Sequence, residues 1–268
     1  MKVAVILFGN MRTYMSCSKS FNNINEDCSF DYYIHTWDDV ERKTSSHKEI
    51  LKSDNKVNQD DIKHNYKEST IKIEKSINID SSKDYFNRFY VDGAESMYES
   101  ISSSAELLSG SNKEYDLVII TRPDIYFKSK LDLQAIKEYL SIYPRNAIFR
   151  AGYFTPTNSK SVNYMDSWGA SDCLMVCNMN VAILFKELKK NKVNLKLPYV
   201  KWVENQLDYF LLDNRIKSLY LDYRAPYDWC IMRANGENSS FKVDILKEML
   251  VVGQSFKNIV KLTLGKFR

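Results

Sequence analysis

The chain has 268 residues, 44% apolar and 13% aromatic, enough to bury one large core and too regular in pattern for disorder. Lys and Arg number 38 against 34 Asp and Glu, and the resulting net charge of +4 is well short of the broad positive excess of a general nucleic-acid binder. Eight Gly and five Pro exclude collagen-like architecture, three His leave little for a histidine-built metal centre, and five Cys without a CxxC pair argue against a zinc ribbon.

Val3–Phe8 is a continuous apolar run, as expected of a central strand covered on both faces. It is too short for a signal-peptide core, and no stretch reaches the roughly 20 residues of a membrane span, so a cytoplasmic location is expected. After Gly9-Asn10, residues 12–23 read as a helix, and Phe30–Trp37 as a second strand ending at Asp38-Asp39. Strand, turn, helix, strand is the opening of a parallel α/β sheet. Residues 41–70 hold thirteen charged side chains and five clearly apolar ones (Ile50, Leu51, Val57, Ile62, Tyr66), which reads as a surface excursion with room for a short helix. Ile71–Ile73 alternates as a short strand. Met97, Ile101, Ala105 and Leu108 then recur at helical spacing up to a stop at Gly110.

Tyr115–Thr121 is the strongest strand signal and runs into Arg122-Pro123-Asp124. Leu131–Leu140 reads as helix, Ala147–Phe149 and Asp172–Cys177 as strands, Met179–Lys189 and Trp202–Leu212 as helices. Ser218–Leu221 and Trp229–Met232 close the sheet region. There is no internal repeat and no Gly/Pro/Ser linker, so residues 1–240 read as one domain with a mixed, mainly parallel sheet flanked by helices. Residues 241–268 carry six basic and two acidic residues, which accounts for the whole net charge of the chain. Their apolar residues fall at helical spacing. This basic amphipathic helix suits an anionic membrane surface, or equally packing on the body with a solvated face.

Ligands of open α/β sheets bind beyond the carboxyl ends of the strands. The first strand delivers Phe8, Gly9, Asn10, Arg12 and Thr13 there; the second delivers His35, Trp37, Asp38 and Asp39. The Tyr115 strand adds Arg122 and Asp124, and the later chain Asp166, Asp172 and Glu204. Gly9 lets a ligand approach the backbone, Arg12 can meet a phosphate, and Trp37 offers an aromatic face unless it packs internally. Pro123 stiffens the corner that carries Arg122 and Asp124. Asp124 could hold Mg²⁺ or Mn²⁺ jointly with a diphosphate, or it could simply pair with Arg122. No GxGxxG follows the first strand, and neither a GxxxxGK[ST] loop nor a GxSxG elbow occurs, which disfavours dinucleotide, P-loop and serine-hydrolase chemistry.

Three segments resemble bacterial surface-polysaccharide glycosyltransferases of the WavE-like, lipopolysaccharide-synthesis kind: Gly9-Asn-Met-Arg12-Thr13, Ile34-His-Thr-Trp-Asp38-Asp39 and Tyr115-Asp-Leu-Val-Ile-Ile-Thr-Arg122-Pro-Asp124. Ser171-Asp172 before a strand and Glu204-Asn-Gln-Leu207 are similar to later segments of such enzymes. The resemblance implies a single-domain GT-A-like (Rossmann-like) fold and sugar transfer from a nucleotide-sugar donor to a glycan or lipid-linked glycan acceptor at the inner face of the membrane. It implies donor binding by Phe8, Gly9, Asn10, Arg12, Thr13, Trp37, Asp38, Arg122 and Asp124, with a divalent cation (Mn²⁺ or Mg²⁺) at Asp124. Asp172, then Glu204, are the candidates for the acceptor base of an inverting transferase. Arg122 stands where a GT-A Asp-x-Asp has its first carboxylate, so a guanidinium could replace part of the cation's charge and metal dependence stays open. A metal-independent transferase using a nucleoside-monophosphate sugar and an inactive nucleotide-binding module are the alternatives.

Overall fold

The computed structural model describes residues 1–25, 27–40, 56–76, 87–142, 146–153, 170–190, 205–225 and 228–232. Its strands are β1 (Lys2–Phe8), β2 (Ser29–Trp37), β3 (Ser69–Glu74), β4 (Leu117–Thr121), β5 (Ile125–Phe127), β6 (Ala147–Tyr153), β7 (Ala170–Cys177), β8 (Lys217–Ala225) and β9 (Trp229–Ile231). Its helices are α1 (Tyr14–Cys17), α2 (Phe21–Ile24), α3 (Gln59–Asn65), α4 (Asn87–Ser109), α5 (Leu133–Ile142), α6 (Met179–Leu184) and α7 (Asn205–Asp213).

Seven strands form one sheet in the order β3-β2-β1-β4-β7-β6-β8. The first four are mutually parallel, β7 runs against both β4 and β6, and β8 is parallel to β6. This is the expected α/β architecture, one mainly parallel mixed sheet flanked by helices, parallel except at β7. Alternation along β1 divides the molecule into layers, because successive side chains leave opposite faces of a strand. Val3, Val5 and Leu7 meet Tyr14, Phe21, Ile24, Ile62, Leu133 and Ile136 from α1, α2, α3 and α5. Ala4, Ile6 and Phe8 meet Tyr98, Ile101, Ala105, Val181, Leu207 and Phe210 from α4, α6 and α7. With both faces covered, β1 has no solvated side from Val3 onward, hence its unbroken apolar sequence.

Three expectations are corrected. The helix read over 12–23 is two short helices joined by a 3-10 turn, Ser18–Ser20. The Ser20 hydroxyl donates to the Cys17 carbonyl (2.6 Å) and accepts from the Phe127 N–H (3.0 Å), a local bond that competes with helix continuation. From Lys56 onward the charged segment is mostly exposed and holds the short helix, but it also reaches the core: α3 buries Ile62, Tyr66 follows it, and β3 begins at Ser69 rather than Ile71. Ile62 and Tyr66 lie four residues apart, so two apolar residues on one face suffice where a composition count reads only charge. Finally, β9 pairs with β5 in a small antiparallel sheet and leaves the main sheet to end at β8. Residues 41–55, the Trp202 start of the later helix and the 241–268 tail lie outside the described residues. Among those described, no helix is long and apolar enough to cross a membrane.

Candidate functional site

From β1 the chain proceeds to β2 and β3 on one side, and then to β4 on the other. The crevice beyond the carboxyl ends of β1 and β4 is therefore a topological switch point, where open α/β sheets take ligands. Gly9 leaves β1 there with φ +96°, a conformation that L side chains rarely adopt, although a Cβ would meet nothing within 4 Å. Glycine is needed at this position for its backbone, and the space beside it is open.

The turn after Gly9 is tied on both sides. Towards β2, the Asn10 Nδ2 donates to the Asp39 carbonyl at 3.0 Å. Towards β4, Arg12 Nη1 donates to Asp124 Oδ2 at 3.0 Å. Thr13 Oγ1 donates to the Met232 carbonyl (3.1 Å), and the Met232 N–H donates to the Asp124 carbonyl (2.8 Å). Arg122 grips the same carboxylate as a fork, with Nε on Oδ1 at 2.9 Å and Nη2 on Oδ2 at 2.6 Å. Asp124 is 1% exposed, whereas the Arg12 and Arg122 side chains are 13% and 23% exposed. A buried carboxylate needs compensating charge, and here two guanidinium groups supply it.

That geometry bears on the expected cation. Both Asp124 oxygens already accept from guanidinium groups, so a metal there would have to displace one and sit beside positive charge. Among the described residues no group of three or more His, Cys, Asp or Glu side chains could hold a metal ion. The residues at Asp124 do not fit Mn²⁺ or Mg²⁺.

The remaining candidates divide. Phe8 is buried in the core beneath the turn and reaches a ligand only through its backbone. Trp37 is 3% exposed and packs edge-on against His35 with ring centroids 5.0 Å apart, so it is a packing element rather than an open stacking face. Asp38 accepts from the Ser76 N–H (2.9 Å) and the Lys56 ammonium (3.0 Å), which together hold its carboxyl below the usual range. Because β7 runs in reverse, its first residues reach the same rim: Leu174 sits opposite Thr121, whose hydroxyl donates to the Cys173 carbonyl at 2.9 Å. Asp172 lies two positions earlier on that strand. Glu204 and Asp166 lie outside the described residues. The nearby Cys17 thiol is pushed up to about 12 by burial, and so remains protonated at neutral pH.

Sequence reasoning missed Ser100, Ser104 and Glu74. Ser104 Oγ donates to the Leu7 carbonyl (2.9 Å) and accepts from the His35 N–H (3.0 Å), while Ser100 Oγ lies 2.7 Å from the Gly9 N and 2.9 Å from His35 Nδ1. His35 Nε2 meets Glu74 Oε2 at 2.8 Å. Burial pulls the His35 pKa down despite Glu74, so the imidazole is neutral at pH 7. The available signal was positional: Ser100 lies three residues after Met97, and Ser104 three after Ile101 and four before Leu108, spacings that share one helix face.

No protein-family model matches the chain, and no curated protein matches it. Among solved structures it is similar to a glycosyltransferase involved in the glycosylation of the major capsid of PBCV-1, at 9% identity and TM-score 0.39 over 85% of this chain and 86% of that one. It is also similar to a Bacillus anthracis protein described as a glucose-1-phosphate thymidylyltransferase, solved with sucrose, at 8% identity and TM-score 0.44 over 90% and 93%. Both likenesses are remote.

Proposed function

We propose that this chain is a glycosyltransferase that holds the phosphate of a nucleotide-sugar donor in the β1/β4 crevice. The observation that carries the reading is the meeting of Arg12 and Arg122, from two different strand ends, on the buried Asp124 at the switch point. Guanidinium groups recognise phosphate oxygens in the same forked manner in which they hold carboxylates. As the sugar–phosphate bond breaks, its electron pair stays with the phosphate oxygen, and fixed positive charge there favours the leaving group. In an inverting reaction the acceptor hydroxyl attacks the sugar carbon and gives its proton to a carboxylate, the role assigned to Asp172 first and Glu204 second. The acceptor is a surface glycan, O-antigen, lipopolysaccharide or capsule, with the basic segment 241–268 resting on an anionic membrane surface.

A second reading is favoured by the engagement of both Asp124 oxygens: transfer without a metal from a nucleoside-monophosphate sugar, whose single phosphate needs less positive charge than a diphosphate. A thermal-shift screen of nucleoside mono- and diphosphates, with Mn²⁺ and with chelator, tests both. A ligand at about 100 times its dissociation constant stabilises the fold by about 2.7 kcal/mol. A shift that survives chelator supports guanidinium recognition, a monophosphate preference selects the second reading, and no shift with any nucleotide removes both.

A further inference from the structure

Gly9, Ser100, His35 and Glu74 form one chain of hydrogen bonds running from the turn after β1, through the buried face of α4, to the end of β3. Its direction follows from valence. A carboxylate only accepts, so the bond to Glu74 Oε2 at 2.8 Å puts the proton on His35 Nε2. Nδ1 of the neutral ring is then an acceptor, and it takes the Ser100 hydroxyl hydrogen at 2.9 Å, nearer than the His35 carbonyl at 3.2 Å. The Ser100 oxygen is left to accept from the Gly9 N–H at 2.7 Å. Each group donates once toward Glu74, an arrangement in which the bonds polarise one another. Ser100 and His35 are fully buried, so neither is a nucleophile open to substrate. Trp37, edge-on at 5.0 Å, fixes the ring plane. What the chain grips is the backbone of Gly9, the residue at φ +96° three positions before Arg12.

We infer that Ser100 and His35 are positioning residues of the phosphate site, holding the left-handed Gly9 peptide so that the following turn presents Arg12 against Asp124. The inference rests on the donor-phosphate reading above. It assigns a role to two residues that touch no ligand: they set the geometry of a guanidinium on another element.

The test uses inorganic pyrophosphate as probe, titrated calorimetrically into the full chain well below its melting transition, so that only folded protein is read. Ser100→Ala is expected to weaken pyrophosphate binding about tenfold, the equivalent of one hydrogen bond. Ser100 is buried, so a second variant works at the half-exposed end of the chain: Glu74→Ala weakens binding about threefold, and Glu74→Gln, which keeps an acceptor for His35 Nε2, restores it to within about twofold. Ile101→Val, on the same helix and buried in the same layer, lowers stability without touching the chain and leaves affinity unchanged. Equal affinity in wild type, Ser100→Ala and Glu74→Ala overturns the inference while leaving the donor reading intact. Loss of affinity in Ile101→Val equal to that in Ser100→Ala also overturns it, because stability alone would then be setting affinity. If wild type binds no pyrophosphate and no nucleotide, the donor reading fails first and the inference falls with it.

Discussion

Replacing Asp124 by Asn leaves two guanidinium groups facing each other across a neutral amide in a site that is 1% exposed at its centre. Removing one partner of a buried ion pair costs about 3 kcal/mol, and urea unfolding of Asp124→Asn should show a loss of that order. Arg122→Lys keeps the charge but not the fork on Oδ1 and Oδ2. Nucleotide affinity, read by calorimetry, should fall about tenfold while unfolding changes less than in Asp124→Asn. His35 sets a pH dependence whose sign follows from its lowered pKa. The unfolded chain takes up a proton near pH 6.5 that the folded ring refuses, so stability is fully present above that value and is lost as pH falls below it toward the folded pKa. Unfolding free energy between pH 7.5 and 5.5 should therefore decline more steeply in wild type than in His35→Gln. At this scale the sequence disclosed the charged residues and hid their pairings. Arg122 and Asp124 advertise themselves two positions apart, but that Arg12 joins them depends on β1 and β4 being neighbours.

At the scale of the element, asparagines cap α3 and α6, whereas Thr13 and Ser20 make no side-chain cap at α1 and α2. Asn178 closes the start of α6, its side-chain oxygen accepting from the Val181 N–H at 3.0 Å. Asn178→Ala should cost about 1 kcal/mol and lower the melting temperature by about 3 °C, measurable by calorimetry or circular dichroism. Helix α4 was legible along its apolar stripe, Ile101, Ala105 and Leu108, because periodicity reports what packs. An apolar count passes over Ser100, Ser102, Ser103 and Ser104, which are equally buried. Ser102 explains why a hydroxyl is kept there: its O–H donates to the Phe185 carbonyl (3.0 Å) and its oxygen accepts from the Lys189 N–H (2.8 Å), tying α4 to the turn that follows α6. Such serines satisfy backbone groups of other elements, and no local pattern announces a partner eighty residues away. Trp37 failed in the opposite sense, because an aromatic at a strand tip reads the same whether it faces ligand or protein.

Across the whole molecule, the sheet was readable because apolar runs and their breaks are local. The order of its strands was not, because which strands become neighbours is settled by long-range packing rather than by any local run. The reversal of β7 was not readable, since a buried strand carries no mark of its direction. That reversal has a consequence for how the protein is made. The backbone edges of the buried β4 are covered by β1 on one side and β7 on the other, and β7 arrives about fifty residues later. A nascent chain that has left the ribosome only as far as α5 presents Leu117–Thr121 as a bare, self-complementary edge, the kind of surface on which other chains add as strands. A fragment comprising residues 1–142 should accordingly precipitate on expression, and supplying residues 146–225 in trans should rescue its solubility, as fractionation of the lysate would show.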